Sequence, residues 1–324
     1  MSKIREIGIG LLEYPGVMMS AVLGLADMFQ LANRIGAQYP QARLPSFVVS
    51  QWHADGLRVA AGVARHTTPA KRGPRLDALI VPPAIGGTYY EAPERHLLDW
   101  LKGLHAGGSI VCSACAGTFI LAATGLLDGR MATTHWNLSS RFAQDFPGVR
   151  LDTDRVLIND GDIVTAGGLM SWMDLGLELV GQFTRPTVMI ELGKLLVIDT
   201  GRREQRYYKQ FVPPFGHGDT SVIKAQHYIQ QFFHTGLTVR MIAEHCHLGE
   251  RTLLRKFVGL TGFSPTEYIQ NVRIQKAREL IETTSLPIET IASRVGYEDA
   301  GGFRMIFKRL TGLSPREFRV RFSV

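Results

Sequence analysis

An internal repeat in the last third of the chain constrains its fold more than any other feature. TGFSPTEY at residues 261–268 returns as TGLSPREF at 311–318, an offset of 50 residues. Earlier in each copy, IAEHC at 242–246 returns as IASRV at 291–295, an offset of 49, so one residue is inserted between the two motifs. The sequence therefore predicts two copies of one supersecondary unit.

Each copy is predicted to contain a short helix, a tight turn and a second helix. The predicted helices are 238–246, 250–260, 287–295 and 300–310. Ala243 and Ala292 stand near the middle of the first helices, where a small side chain lets the second helix cross closely. This is the spacing of a helix-turn-helix, in which the second helix enters the major groove of DNA.

Basic and hydroxyl side chains are predicted to face outward from the second helix of each copy. In the first copy, Leu253, Leu254 and Phe257 are expected in the core. The second copy opens with the small residues 300–302, so we expect that helix to rely more on DNA shape and phosphate contacts. Arginine can bind guanine, and threonine can contact a thymine methyl group or a phosphate. The predicted DNA-binding residues are Arg251, Thr252, Arg255, Lys256, Arg304, Lys308 and Arg309.

The segment between the two copies and the charge of this region fit the same interpretation. Residues 264–284 have a helical apolar stripe, and a helix of that length spans about 30 Å. Successive major grooves on one face of DNA are about 34 Å apart. From His217 to Val324 there are 15 Lys and Arg residues against 10 Asp and Glu residues. Double-stranded promoter DNA is the predicted partner, and a plain helical bundle with a basic surface is the alternative.

The first two hundred residues alternate short apolar strands with longer helical patterns. The predicted strands are 6–12, 46–50, 76–83, 109–114 and 162–168, and the predicted helices are 20–35, 94–106, 118–124, 138–145 and 170–183. Such alternation predicts an α/β domain with a mostly parallel sheet covered by helices. We expect this domain at 1–205, a linker rich in Pro and Gly at 206–219, and an all-α domain with two helix-turn-helix units at 220–324.

The stretch SACAGTFILA at residues 113–122 has the pattern of a nucleophile elbow, in which a sharp turn carries a reactive side chain from a strand into a helix. Cys115 lies at the carboxyl end of its strand, where parallel sheets place their sites. A cysteine at a helix N-terminus is expected to have a favoured thiolate. Backbone N–H groups near Ala116 and at Gly86–Gly87 are candidates for an oxyanion hole. Cys112 is expected in the core, as are Trp172 and Met173.

Both halves resemble known families. TVRMIAEHCHLGERTLLRKFVGLTGFSPTEYI and IETIASRVGYEDAGGFRMIFKRLTGLSPREFR resemble the DNA-binding domain of AraC/XylS regulators over about residues 221–322. CAGTFILAATGLLDGRMATTHW and VTAGGLMSWMDLGLELV resemble the PfpI-like, class I glutamine-amidotransferase-like domain over about 4–198. The combination is similar to GlxA-like regulators and implies a flavodoxin-like N-terminal fold. The sequence departs from the AraC pattern at Gly249, where that family usually has a serine or a similar helix cap, and at 300–302.

The PfpI resemblance supplies only part of a catalytic site. His135 matches the position of that family's histidine, but the family also carries a carboxylate just after the first strand. Ser20 and Ala21 stand there instead, and Glu13 and Asp27 match poorly. We therefore expect a domain that is not an enzyme and that binds a small metabolite. The predicted pocket residues are Cys115, His135, Gly86, Gly87 and Thr118, with Cys115 and His135 as vestigial catalytic residues.

The sequence thus predicts a cytoplasmic, homodimeric transcription regulator. By resemblance we expect an activator that works with RNA polymerase and responds to an amine-derived or amino-acid-derived effector. No cofactor or metal is expected, since His245 and His247 diverge at a helix end and the three cysteines lack paired spacing. No apolar run reaches the roughly 18 residues of a membrane span, and no signal peptide is apparent. Two alternatives remain: a cysteine-dependent hydrolase or deglycase-like enzyme with a DNA-binding tail, and a redox sensor at Cys115.

Overall fold

A computed structural model describes residues 5–54, 58–59, 75–201 and 203–323. Contacts divide the chain into two compact units, Met1–Gln205 and Arg206–Val324. The first unit has two hydrophobic clusters and the second unit has two of its own. Among the residues described, no helix is both long enough and apolar enough to cross a membrane.

The N-terminal unit is built on a mostly parallel sheet. Its strands are β1 (Glu6–Glu13), β2 (Ser46–His53), β3 (Arg58–Val59), β4 (Ala78–Val81), β5 (Ile110–Ala114), β6 (Met131–Ala132), β7 (Arg150–Leu151), β8 (Leu157–Asn159) and β9 (Ile163–Ala166). In the described residues the main sheet has the order β3-β2-β1-β4-β5-β9-β8, and β6 pairs with β7 separately. Only the edge strands β3 and β8 are antiparallel to their neighbours. The predicted α/β fold is confirmed.

Helices cover both faces of this sheet. They are α1 (Met19–Ala37), α2 (Arg95–Ala106), α3 (Gly117–Ala123), α4 (Ser139–Asp145), α5 (Trp172–Phe183) and α6 (Pro186–Leu196). One cluster joins α1, α5 and α6 to one face, and the other joins α2, α3 and α4 to the opposite face. The sequence patterns missed the 11-residue helix α6. They also missed the short strands β3, β6, β7 and β8, because a stretch of two or three residues carries almost no periodicity.

The C-terminal unit is entirely helical within the described residues. Its helices are α7 (Thr220–Phe232), α8 (Val239–His245), α9 (Glu250–Thr261), α10 (Pro265–Thr283), α11 (Ile288–Arg294), α12 (Ala300–Thr311) and α13 (Pro315–Phe322). One hydrophobic cluster packs α7, α8 and α9 on the first half of α10, and the other packs α11, α12 and α13 on its second half. The 19-residue helix α10 is about 28 Å long and joins the two helix-turn-helix units, as predicted.

The repeated motif T-G-x-S-P-x-E stops one helix and starts the next. Gly262 and Gly312 adopt left-handed conformations, with φ of 75° and 81°, at the carboxyl ends of α9 and α12. Ser264 and Ser314 then cap α10 and α13, each in a reciprocal capping box with the glutamate three residues later. Pro follows each serine at the first helical position, where its missing N–H is harmless. The repeat is therefore explained by local hydrogen bonding.

Residues 206–219, which were expected to form the linker, lie within the C-terminal unit and pack along α10. The guanidinium of Arg278 in α10 donates to the carbonyl oxygens of Tyr207, at 2.9 Å, and of Lys209. The Arg321 guanidinium lies over the rings of Tyr207 and Tyr208. We refer to residues 206–209 as the strap.

Candidate ligand pocket and nucleic-acid interface

Cys115 occupies the turn between β5 and α3 and has the backbone strain of a nucleophile elbow. Its φ is 53°, in the left-handed region that side chains other than glycine rarely adopt. Its N–H donates to Ala166 O at 2.8 Å, which extends the pairing of β5 with β9. A Cβ at Gly117 would lie 2.6 Å from Pro82 O, so only glycine allows α3 to begin this close to β4. The sequence Cys-Ala-Gly thus fixes the elbow.

The Cys115 thiol is buried, and this reverses the expectation of a favoured thiolate. Only 4% of the residue is exposed. Burial raises the pKa of the thiol to about 11, although the Ala116 N–H donates to the sulfur and opposes the rise. Desolvation outweighs the dipole because α3 has only seven residues and offers one N–H to the sulfur. At neutral pH the thiol is protonated and weakly nucleophilic.

His135 is not arranged as a base for Cys115. Its Nδ1 accepts a hydrogen bond from the Asn137 N–H at 3.1 Å, so the neutral ring carries its proton on Nε2. Burial lowers the pKa of His135, which favours this neutral form. In the part of the chain that the structure describes, no hydrogen bond joins the Cys115 sulfur to His135. The ring instead caps a short helical turn and lies beside Trp136, with ring centroids 5.3 Å apart.

Within the described residues, neither Glu13 nor Asp27 makes a hydrogen bond to Cys115 or His135. Ala21 is fully buried in α1 and Ser20 is exposed, and neither side chain carries a carboxylate. The Glu13 carboxylate lies 3.1 Å from His53 Nδ1, in an ion pair that depends on protonation of the histidine. Asp27 is exposed two turns along α1. The two residues that matched the family position poorly in sequence therefore make other contacts or face solvent.

The remaining predicted pocket residues lie around the elbow in different ways. Gly86 and Gly87 are exposed on the loop after β4, and the Gly86 N–H donates to Gly16 O at 3.4 Å. Two of the N–H groups proposed for an oxyanion hole therefore already have partners: Ala116 donates to the Cys115 sulfur, and Gly86 donates to Gly16 O. Thr118 is fully buried, and its hydroxyl is 3.0 Å from Ser113 Oγ. Thr118 is thus buried at the start of α3, and its place in the ligand pocket stays a prediction.

Two tyrosines near the elbow escaped the sequence analysis. Burial raises the pKa of Tyr14 far above its usual value, and charge on Cys115 and Tyr90 adds to this rise. Burial likewise raises the pKa of Tyr90, with Glu91 and Cys115 adding to it. The Tyr14 hydroxyl donates to Pro82 O at 2.6 Å. Tyr14 follows β1 at the same sheet edge as Cys115, which was the signal available in sequence.

The residues expected to be structural are in the core. Cys112 is fully buried, Trp172 is buried, and Met173 packs against the same cluster as Trp172. The described residues contain no group of three or more His, Cys, Asp or Glu side chains that could hold a metal ion. The ring of His245 stacks on Tyr228, with centroids 4.0 Å apart.

In the first helix-turn-helix, α9 presents two free arginines. Arg251 and Arg255 are exposed one turn apart, and neither makes a hydrogen bond or ion pair with any described residue. Thr252 is half-buried beside them. Lys256 has its ammonium 2.9 Å from the carboxylate of Asp219, which also caps α7. Leu254, expected in the core, is 38% exposed because it lies on the outer side of the helix.

The second helix-turn-helix presents a different surface. Arg304 pairs with Glu289, Arg309 donates to Gln270 Oε1 at 2.8 Å, and Lys308 is exposed. At the offset of 50, these three residues correspond to Leu254, Val258 and Gly259, whereas Arg251 and Arg255 correspond to Gly301 and Met305. Met305 is 66% exposed. The two units therefore do not present equivalent charged faces, and Met305 was missed because only polar residues were sought.

Comparisons with known proteins identify both units. The DJ-1/PfpI family matches residues 65–182, and a helix-turn-helix domain family matches residues 242–321. The chain is 26% identical over 315 residues to the HTH-type transcriptional regulator CdhR of Pseudomonas aeruginosa, covering 94% of this chain and 89% of the relative. It is 24% identical over 316 residues to the HTH-type transcriptional regulator GbdR of the same species, covering 96% and 83%.

One relative is named as an enzyme. The isonitrile hydratase of Pseudomonas putida is 31% identical over 192 residues, which covers 57% of this chain and 77% of the hydratase. The two relatives that align with nearly the whole chain are named as transcriptional regulators. The chain belongs to the DNA-binding transcription regulators that join a DJ-1/PfpI-family domain to an AraC-type helix-turn-helix domain.

Proposed function

We propose that the N-terminal unit senses a small molecule at the Cys115 pocket and that the C-terminal unit responds at a promoter. The observation that carries this proposal is a strained elbow whose cysteine has no hydrogen bond to a histidine or a carboxylate among the residues that the structure describes. The φ of 53° at Cys115 persists, although the thiol is protonated and His135 Nδ1 is engaged by the backbone. Strain of this kind persists where the surrounding structure enforces it, often at ligand sites. In this proposal, the sensor spans 1–205 and the DNA-binding domain spans 220–324.

The decisive experiment is selection of genomic fragments by the purified full-length protein at near-physiological salt. One enriched motif, with half-sites spaced by helical turns, would support the proposal. Affinity for that motif is then measured with a panel of amines, amino acids and their derivatives. A reproducible change in affinity with one chemical class would identify the effector. Uniform capture that disappears as salt rises would leave only a basic surface and would overturn the proposal.

We also propose that the N-terminal unit is catalytically inactive. The alternative, a cysteine-dependent hydrolase or deglycase-like enzyme, needs a thiolate and a free base. Turnover of amide or glyoxal substrates, lost in Cys115→Ser, would favour that alternative and contradict our proposal. For the redox alternative, oxidation of Cys115 would have to change operator affinity, and an inert thiol would exclude it.

The reactivity of Cys115 is expected to increase steadily with pH. Because burial raises the thiol pKa to about 11, the reactive thiolate is scarce at neutral pH. Alkylation by iodoacetamide should accelerate about tenfold per pH unit until the pH approaches that pKa. The measurement is mass spectrometry of the Cys115 peptide over a pH series, with Cys115→Ser as the control. A rate that is already constant near neutral pH would show a lowered pKa and would revive the enzyme interpretation.

We propose further that the protein is a homodimer that activates transcription through RNA polymerase. Met19 and Leu23 are exposed one turn apart on α1, and a second copy of this chain is the occupant that we assign to this apolar face. Leu23→Asp is expected to shift a dimer to monomer, because a charge would be buried in an apolar contact. Light scattering during gel filtration measures this, with Gln30→Glu on the same helix as the control. A Leu23→Asp protein that remains dimeric would place the interface elsewhere.

A further inference from the structure

Gln205, the last residue of the N-terminal unit, has its side chain buried in that unit. Only 3% of the residue is exposed. Its Nε2 lies 2.8 Å from Arg155 O, 3.0 Å from Thr134 O and 3.1 Å from Thr133 Oγ1, so its two hydrogens are shared among three acceptors. Its Oε1 accepts from the Trp136 N–H at 3.2 Å. Both ends of the amide are therefore held, mostly by the loop of residues 133–136.

A glycine at the end of β9 makes room for this side chain. A Cβ built on Gly167 would lie 1.8 Å from Gln205 Nε2. The backbone of Gln205 is fixed as well, since its N–H donates to Asp154 O at 2.7 Å. Glutamine loses considerable side-chain freedom when it is ordered, so a fully partnered, buried glutamine at the end of a domain marks a specific attachment.

The loop that holds Gln205 also holds the Cys115 elbow. The Thr134 hydroxyl donates to Cys115 O at 2.7 Å, while the Thr134 carbonyl oxygen accepts from Gln205. Thr118, at the start of α3, donates to Thr133 O at 3.3 Å. His135 lies in the same loop. Thr134 therefore contacts both residues. Its side-chain hydroxyl binds the Cys115 carbonyl oxygen, and its own carbonyl oxygen binds the Gln205 amide.

The chain is anchored again immediately after Gln205. The strap begins at the next residue, and the buried Arg278 binds the Tyr207 and Lys209 carbonyl oxygens within the C-terminal unit. Arg278 also lies 5.0 Å from the centroid of the Phe318 ring in α13, which follows the second recognition helix. Gln205 is thus joined directly along the chain to a segment whose backbone is held in the C-terminal unit.

We propose that Gln205 is the positioning residue through which the Cys115 pocket regulates DNA binding. This inference rests on the proposed sensor function of that pocket. A molecule seated on the elbow moves the Thr133–Trp136 loop, the loop changes its hydrogen bonds to the Gln205 amide, and the strap follows. Because coupling between two sites is reciprocal, operator DNA must in turn change the environment of Cys115.

Reciprocity provides a test that needs no effector. The full-length protein is alkylated with iodoacetamide at one mildly alkaline pH, with and without the operator found by genomic selection. The labelling rate of the Cys115 peptide alone is followed by mass spectrometry. We expect operator DNA to change this rate by about fivefold or more in the natural sequence. In Gln205→Ala the rate with and without DNA should agree within a factor of about two, with operator binding retained.

Two further variants separate coupling from folding. Thr134→Val leaves Gln205 in place but removes the hydroxyl that binds Cys115 O, so it should also reduce the DNA effect. Ser109→Ala is the matched control, because it also deletes a buried hydrogen bond, from the Ser109 hydroxyl to Leu76 O. Ser109 precedes β5, whereas Cys115 follows that strand, so the two residues lie at opposite ends of β5. Ser109→Ala should keep the full DNA effect. If Gln205→Ala fails to fold, the effect of operator DNA on Cys115 labelling is compared between Thr134→Val and Ser109→Ala. A reduced effect in Thr134→Val alone then supports the coupling, and equal effects in the two variants contradict it.

The outcomes distinguish this inference from the proposed function. A full DNA effect in both Gln205→Ala and Thr134→Val would overturn the role of Gln205. An operator that binds tightly yet leaves Cys115 labelling unchanged in the natural sequence would overturn the coupling. If effectors change operator affinity in that case, the sensor proposal stands and only this route is excluded. If no effector acts, the sensor proposal fails as well.

Discussion

Replacing Arg255 by alanine is expected to weaken operator binding by about 1–3 kcal/mol, which is about 5- to 150-fold. Arg255 is exposed on α9, and no described residue binds its guanidinium, so it is available for a guanine edge. The loss should be specific to the selected operator, with little change on random DNA. Fluorescence anisotropy at several salt concentrations measures both affinities.

Lys308→Ala is the matched control for this prediction. Lys308 is exposed on α12 and corresponds in the repeat to Val258, about one turn after the position of Arg255. We expect it to contact phosphate, so its removal should weaken operator and random DNA alike and reduce the salt slope by about one. If Arg255→Ala instead weakens binding to operator and to random DNA equally, Arg255 does not contact a base, and another face of α9 reads the operator.

Replacing Arg278 by leucine is expected to destabilise the C-terminal unit by about 3 kcal/mol or more. Arg278 is 6% exposed; burial lowers its pKa, and the charge of Glu282 opposes this. Its guanidinium also donates to the strap carbonyl oxygens and lies over the Phe318 ring. Leucine removes the hydrogen bonds from the guanidinium to those carbonyl oxygens, and a hydrogen bond to a charged group contributes about 1.5–3 kcal/mol. The strap should also detach.

The chain contains an internal reporter for this measurement. Its four tryptophans, at positions 52, 100, 136 and 172, all precede the C-terminal unit. In denaturant, Arg278→Leu should shift the part of the circular-dichroism transition that comes from the C-terminal helices, while tryptophan fluorescence changes little. Lys276→Ala on the same helix removes only a surface pair with Glu279 and should cost less than about 1 kcal/mol. Equal shifts for both variants would show that Arg278 is not a structural anchor.

Local signals allowed much of the fold to be predicted. The serine, proline and glutamate of each repeated motif predict where a helix begins, because their hydrogen bonds involve neighbours in sequence. Hydrophobic patterns predicted β1, β2, β4, β5 and β9 for the same reason. The elbow at Cys115 was recognisable because its geometry depends on the adjacent Gly117 and on a strand that ends there.

Features that depend on distant residues could not be read from the sequence. The Cys115 thiolate was expected from its helix, but its pKa depends on burial by several elements. The segment after Gln205 has the composition of a linker, yet Arg278, about 70 residues later, holds it in place. Leu254 looked like a core residue because it is apolar and follows Leu253, and only the packing of α9 shows that it faces outward.

In each repeat, the motif T-G-x-S-P-x-E contains both the residues that end one helix and the residues that begin the next. Gly262 with Ser264, and Gly312 with Ser314, complete their backbone geometry within a few consecutive residues. A duplicated gene segment would carry both signals with it, and the downstream helix would begin at the same residue wherever the copy landed. The single inserted residue that changes the offset from 49 to 50 lies in the turn between α11 and α12, before this motif. That turn can therefore differ in length between the two copies without altering how α13 begins, because Ser314 and Glu317 cap α13 from within the motif.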